Sequence, residues 1–444
     1  MTCPHCHESA KFVEYRDSGL HTLLGSGRHD RVYYHCGHCH HGWFPTDEEL
    51  GIEHKQTPGC REVVSLTGVV DPFEEAADKL LLKLTGLNLS ASTVQHTTER
   101  VGADVAERRA AGETLGPPTP WDWHRDAKGQ RVAYVSLDAT SVLQQGPRAE
   151  KAESRMPWVG SVFNPVPMHE RKRKSSRETS AGSTITADIL ALEKRVASEI
   201  AESEIASEIA ASTSSATSPT VASASPTKAS RASHRVWPTR YVCGVMSLAE
   251  IGKQLRAECV AVGIAQADVV LALTDGGNGL EACLVETVLT GLAREIVPIL
   301  DFFHATEHLR EFAKTWLPDE ATRKVQVERW CHTLKHQGGS TLLTELETLD
   351  QTSRTDAQLE AHRLLTQYVR NNQHRMDYPT YIANGWEIGS GEIESACKSV
   401  INHRLGGSGM RWRLPGTTAV CQLRSLFRSE FPVWQRYWSR TVST

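Results

Sequence analysis

What this sequence most plainly lacks is a long apolar run. No stretch reaches the ~18 residues a bilayer span needs, which removes the membrane-spanning class. The opening MTCPHCHESAKF has no apolar core of the secretory kind, so the chain is expected in the cytoplasm. Charge of one sign is missing too: 49 basic and 53 acidic side chains leave a net charge of −4, so any basic face has to be sought locally. Eleven cysteines in a cytosolic chain do not argue for disulfides, which turns attention to metal. Aromatic residues are absent from Ser175 to Ser233, where Ala/Ser/Thr repeats follow the basic run Arg171–Lys174. Such a segment cannot bury much surface and reads as a flexible low-complexity insertion over 171–235. The remainder of the 444 residues is too long for one ordinary core and should form two to four units.

Metal is indicated at the amino end. Cys3-Pro4-His5-Cys6 and Cys36-Gly37-His38-Cys39 are two C-x₂-C pairs, each a tight turn that aims two thiolates at one ion. Together they predict a tetrahedral structural Zn²⁺ site in a zinc ribbon over residues 1–50, with Arg31–His35 as the strand entering the second turn. So small a unit has too little core without metal. A closed four-thiolate site leaves no open position, so its expected role is structure and DNA contact.

Pro72 to Thr85 places Ala76, Ala77, Leu80, Leu81 and Leu84 at helical spacing. Gly86–Ser90 reads as a turn, and Ser92-Thr93-Val94-Gln95 fits a capping box for a second helix. Val94, Val101 and Val105 should face inward, and Gln95, His96, Thr98, Glu99 and Arg100 outward. Residues 70–112 thus have the layout of a helix-turn-helix, or equally of an ordinary helical hairpin.

Two apolar runs end in an acid. Val132–Leu137 leads to Asp138, and Val269–Thr274 leads to Asp275-Gly276-Gly277. Near-continuous apolar runs of this length suit strands buried on both faces, and an acid at the carboxyl end sits where open α/β sheets bind ligands. One such acid could merely cap a following helix; two in one domain argue for a site. A third candidate lies in Gly389-Ser390-Gly391-Glu392-Ile393-Glu394, which opens a helix with the apolar stripe Ile393, Ala396, Cys397, Val400 and Ile401. Glu392 and Glu394 are about 200° apart on that helix and cannot both face one site. Glu394 is preferred, with Glu392 as the alternative and a surface Glu394–Lys398 pair as the structural reading. Asp301 and His304 follow a further strand-like run, Ile296–Leu300, and read either as phosphate-positioning groups or as a helix-start acid and a structural histidine.

These segments resemble the DDE transposases of bacterial insertion sequences of the ISKra group. The similarity is carried by CPHC and CGHC followed by GWFPTDEELGI, and by SLDAT, LTDGGNGLE, ILDFFHATEHL and IGSGEIESACKSVINHRLGGSGMRW. It covers most of the chain apart from roughly 175–232. The resemblance implies an α/β fold: an RNase H-like mixed five-stranded sheet with helices on both sides, interrupted by an all-α insertion at 305–380. The catalytic domain would comprise 130–170 and 236–304, with the catalytic helix and a basic region in 385–444, preceded by the zinc ribbon and helix-turn-helix. Asp138, Asp275 and Glu394 are the implied catalytic acids, holding two Mg²⁺ (or Mn²⁺) ions, with Asp138 bridging them. Where the family runs straight from VFNPVP to RYVCGVMSL, 72 residues intervene here; loop entropy grows slowly with length, so the insertion does not by itself imply inactivity.

The implied activity is cleavage at transposon ends and strand transfer into target DNA, by a homodimer or higher oligomer in the bacterial nucleoid. Double-stranded DNA is the partner. From His403 onward seven arginines face one acid, Glu430, and Lys398, Arg404, Arg411 and Arg413 are the expected DNA contacts. Two other readings stay open: a transposase-derived zinc-ribbon regulator that binds without cutting, and an RNase H-like nuclease without strand transfer.

Overall fold

Strand alternation and helix stripes explain how the acids come together. The computed structural model describes residues 1–165, 238–277 and 279–440; the basic run Arg171–Lys174 and the low-complexity segment 171–235 lie outside the described residues. Five strands make the central sheet: β5 (Arg131–Ala139), β8 (Trp158–Phe163), β9 (Thr239–Gly244), β10 (Val269–Thr274) and β11 (Ile296–Leu300), in the order β11-β10-β5-β8-β9. The two-residue β4 (His124–Arg125) adds to the start of β5. β10 runs parallel to β5 and β11, whereas β8 and β9 are antiparallel, so the sheet is mixed.

The sheet is covered on both faces, which is why β10 is buried throughout. Ala133, Val135 and Leu137 join Val162, Val242 and the helix Leu248–Ala261 in one core, which Leu284 and Val288 extend. The opposite face packs Val159 and Cys243 against Ile393, Ala396, Cys397, Val400, Val420 and Cys421 of two later helical stretches. Side chains alternate along a strand. Asp138 pairs with Val159, so it belongs to the second face, beneath the helix Gly391–Ala396.

The amino end is an antiparallel hairpin, β1 (Ala10–Thr22) with β2 (Gly25–Cys36), joined by the short β3 (Gly42–Trp43). Helices follow at Pro58–Val70, at 73–85 and at Ala91–Ala110, with Gly86 in the left-handed conformation closing the second. Two expectations fail here. The third helix begins at Ala91 and is capped by Ser90, whose Oγ accepts from Thr93 N at 3.1 Å, so Ser92 is helical and not a cap. Thr98 faces inward: its hydroxyl donates to Val94 O at 2.8 Å, which hides its polarity within the helix.

That helix is no free recognition helix. Gly102 lies so close to the backbone of Ala419 that a Cβ would meet its carbonyl oxygen, which ties it to the helix Leu414–Arg428. Arg109 donates to Gln422 and Ser425 of the same helix and to Tyr241 O. Only Gln95, His96, Glu99, Arg100 and a few neighbours remain accessible on its first turns. The parts up to Asn164 and from Pro238 form one compact unit, in which the amino-terminal helical region packs on the helix Leu414–Arg428 that covers the sheet's second face.

Beyond β11 the chain is helical: Phe302–Trp316, Glu320–Gln337, Gly339–Glu347, Asp356–Asn372 and Tyr378–Ala383. Its return is pinned to the sheet. Arg375 Nη1 donates to Thr274 Oγ1 at 2.9 Å and Tyr378 OH to Leu300 O at 3.0 Å. Among the described residues no helix is long and apolar enough to cross a membrane.

Candidate functional site

The four amino-terminal thiols converge. Cys3, Cys6, Cys36 and Cys39 place their sulfurs within 4.8 Å of one another, with Cys3–Cys39 at 3.6 Å and Cys6–Cys36 at 3.5 Å. Zinc–sulfur bonds of ~2.3 Å in a tetrahedron require sulfur–sulfur edges of roughly 3.8 Å, so the set fits one ion. The two turns are conformational copies. His7 N donates to Cys3 O and His40 N to Cys36 O, both at 3.0 Å, and both histidines are left-handed (φ 62° and 57°). Backbone N–H groups of Cys39 and His38 lower the Cys36 thiol, while burial and the neighbouring thiols raise that of Cys6. All four cysteines are free of disulfides, and the cluster could hold a structural metal such as zinc.

Strand register builds the second centre. Leu273 pairs with Ser136 and Thr274 with Leu300 in parallel ladders. Continuing those ladders sets Asp138, Asp275 and Asp301 in one row at the carboxyl ends of three adjacent strands. Asp138 Oδ1 accepts from Ala139 N at 2.7 Å and its Oδ2 faces Cys397 Sγ at 3.5 Å. Burial holds the Asp138 carboxyl above its ordinary range, and the negative charges of Asp275 and Glu394 push it further the same way. Asp275 Oδ1 accepts from Gly277 N at 2.8 Å, and Gly276 takes φ +98° to make that turn.

Glu392 and Glu394 divide as the helix angle requires, with their environments now defined. Glu392 points onto the sheet, accepting from Ser161 Oγ and Tyr241 OH, each at 2.7 Å, and burial raises its pKa. Glu394 is exposed on the side that acts on Asp138, with Ser390 Oγ 3.5 Å away. Glu394, preferred from the sequence, does not lean on the sheet; Glu392 does so, as an internal anchor. No ion pair among the described residues joins Glu394 to Lys398, which is exposed just inside a widened turn, Cys397–Asn402.

Asp301 caps rather than faces solvent. Its Oδ1 accepts from His304 N at 2.8 Å and its Oδ2 from Ser390 N, while Phe302 N donates to Ile388 O. The end of β11 therefore holds the segment that launches Glu394's helix. His304 and His308 stand edge to face at 5.0 Å, and His308 lies 4.1 Å from the Tyr368 ring. Burial and His304 together lower the pKa of His308, while Asp275 acts on it in the opposite direction. The Tyr368 hydroxyl is buried without a hydrogen-bond partner beside Gly276. Tyr368 sits on a helix 93 residues beyond Asp275, and no local motif marks it.

Among the four expected DNA contacts, Lys398, Arg411 and Arg413 are exposed. Arg404 is not: it is 2% exposed, donates Nε to Gly68 O at 2.9 Å, and lies between the rings of Phe73 and Trp412. The amino-terminal helices cover it, so it cannot meet a duplex backbone as a surface side chain.

The four sulfurs are the only group of three or more His, Cys, Asp or Glu ligand atoms that close together among the described residues, so the three carboxylates stand further apart. No family model matches the chain, and no curated protein matches it.

Proposed function

We propose that this chain is a DNA transposase of the DDE type, akin to the ISKra group, with Asp138, Asp275 and Glu394 as its catalytic acids. The observation that carries the reading is the row of strand-end acids under Glu394's helix, where Asp275 and Glu394 both act on the buried Asp138. Three hard-oxygen donors repelling one another are a donor set that Mg²⁺ or Mn²⁺ relieves. The metal would supply charge neutralisation at the phosphate and an activated oxygen nucleophile. The mixed five-stranded sheet with helices on both faces suits an RNase H-like domain, and the all-helical stretch 302–383 stands where an insertion before the Glu helix is expected.

In this reading the chain's own groups divide the work. Asp138 and Asp275, fixed on adjacent strands, set the position of the scissile phosphodiester. Ser390 N, held by Asp301, orients the helix that carries Glu394. His304, His308 and the unpartnered Tyr368 hydroxyl line the Asp275 side, where Tyr368 can donate to a phosphate oxygen. Exposed Lys398 screens the DNA strand beside Glu394. Water attacks first and frees a 3′-OH; that 3′-OH then displaces a 3′-oxygen in target DNA, so one phosphodiester replaces another. The four-cysteine ribbon serves DNA contact.

The test is incubation of the zinc-loaded protein with Mg²⁺ and a labelled duplex carrying the end of its own element, beside Asp275→Ala. Nicks and joined products that vanish in the variant are expected. Nicks without joining would identify a nuclease, and binding without nicks a regulator.

A further inference from the structure

A cleft of about 740 Å³ opens between the helix Ala91–Ala110 and the loop at Arg411–Arg413, and none of the three acids lines it. Its floor is Arg404. That guanidinium is held between the Phe73 ring at 4.4 Å and the Trp412 ring at 4.9 Å, yet its Nη2 is buried with no acceptor. An arginine has five N–H donors, and a buried donor left unpaired is costly. A second buried guanidinium, Arg424, acts on Arg404 and spends its own donors on the carbonyls of Val69, Ser399 and Val400. Burial, together with Arg424, brings Arg404 down to about 9. Asp71 and Glu99 act on it in the opposite sense.

The rim adds two further guanidiniums. Trp412 is strapped to the β6 strand (Val142–Gln145): Gln145 N donates to Trp412 O at 2.7 Å and Trp412 N to Leu143 O at 3.1 Å. Side chains alternate in such an extended segment, so Arg411 and Arg413 share the face opposite Trp412 and stand exposed. Glu99 is the single acid lining the cleft, and its carboxylate accepts from Gln95 Nε2 at 2.9 Å.

We propose that this cleft binds a phosphate carried on a nucleotide, with Arg404 as the buried donor and Arg411 and Arg413 on its rim. A lone phosphate would fill a small part of such a volume, whereas a nucleotide matches the usual size of a ligand cleft. Arginine suits phosphate because its planar fork donates two parallel hydrogen bonds. The site stands on its own geometry, independent of the carboxylate reading.

The test uses the zinc-loaded full chain without Mg²⁺ and a 5′-phosphorylated, fluorescein-labelled single-stranded octanucleotide, with dAMP as competitor. Arg411→Ala/Arg413→Ala removes two exposed side chains and should leave the fold intact. It should weaken binding at least tenfold and reduce the slope of log affinity against log salt by about 1–2. Glu99→Gln removes the only acid and should tighten binding severalfold. Displacement by dAMP would assign a free nucleotide, and displacement by unlabelled octanucleotide alone would assign a strand; both support the phosphate site. Unchanged affinity in the double variant, with no tightening in Glu99→Gln, overturns the proposal. Cleavage is not read, so failure of the carboxylate site leaves this outcome unaffected.

Discussion

Replacing Asp301 by asparagine separates a scaffold acid from a metal ligand. Both carboxylate oxygens are engaged: one accepts from His304 N at the helix start and the other from Ser390 N. Asparagine keeps one acceptor oxygen and turns an NH₂ toward the other N–H. One buried N–H then loses its partner, at about 1–3 kcal/mol, and the surviving bond loses its charge assistance. The sum is roughly 2–3 kcal/mol, or about 3–4 °C in Tm for a compact unit of this size. Asp301→Ala, which also removes the helix cap, should cost about 3–5 kcal/mol. Cleavage should fall as well, on the order of 100-fold, because the segment that launches Glu394's helix loosens. The Mg²⁺ concentration for half-maximal cleavage should stay near the wild-type value. Thermal melting and Mg²⁺ titration of cleavage read these effects. An Asp301→Asn protein that melts like wild type but needs far more Mg²⁺ would refute the reasoning and make Asp301 a ligand.

Other outcomes follow from the same structure. Metal analysis should find one zinc per chain, lost in Cys36→Ser, and chelation should make residues 1–57 protease-sensitive while the rest resists; a metal-free wild type with an intact hairpin would contradict this. Asp138 has a folded-state pKa raised above its unfolded value, so its contribution to stability is present at low pH and lost as pH rises through the folded value. Asp138→Asn should therefore raise the Tm of metal-free protein at pH 7, with the gap closing in acid; Mg²⁺ affinity of the wild type should fall as pH drops through that raised value. Arg240 is fully buried between Glu430 (2.7 Å) and Glu258 (3.4 Å). Arg240→Met leaves Glu258 with Arg109 at 3.9 Å and Glu430 with Trp121 Nε1 at 3.2 Å, and should still cost about 3 kcal/mol in urea unfolding; a cost below about 1 kcal/mol would show that those partners suffice.

Local chemistry was readable where a motif carries its own geometry. The cysteine turns could be recognised because three-residue spacing alone aims two sulfurs at one point. The strands ending in Asp138 and Asp275 could be recognised because burial on both faces demands an unbroken apolar run. Long-range packing was not readable. Arg404 is buried by Gly68 and Phe73, more than 300 residues earlier in the chain, and nothing near Arg404 announces that cover. The angle between Glu392 and Glu394 follows from helix geometry, but which of them meets the sheet depends on Ser161 and Tyr241 on separate strands. Ser90 rather than Ser92 caps its helix because two serines two residues apart offer the same local signal, and packing of the turn decides between them.

The central claim is that Asp138, Asp275 and Glu394 act as one Mg²⁺-dependent unit and Glu392 does not belong to it. The most direct measurement is the initial rate of Mg²⁺-dependent nicking of the labelled element end by Asp138→Asn, Asp275→Asn, Glu394→Gln and Glu392→Gln, each checked for folding by thermal melting. The account predicts loss of at least 1,000-fold (about 4 kcal/mol in barrier) in each of the first three, with melting no lower than wild type. Glu392→Gln should retain nicking and instead lower the Tm. Full nicking by Glu394→Gln, or its abolition in a Glu392→Gln protein that melts like wild type, would contradict the account.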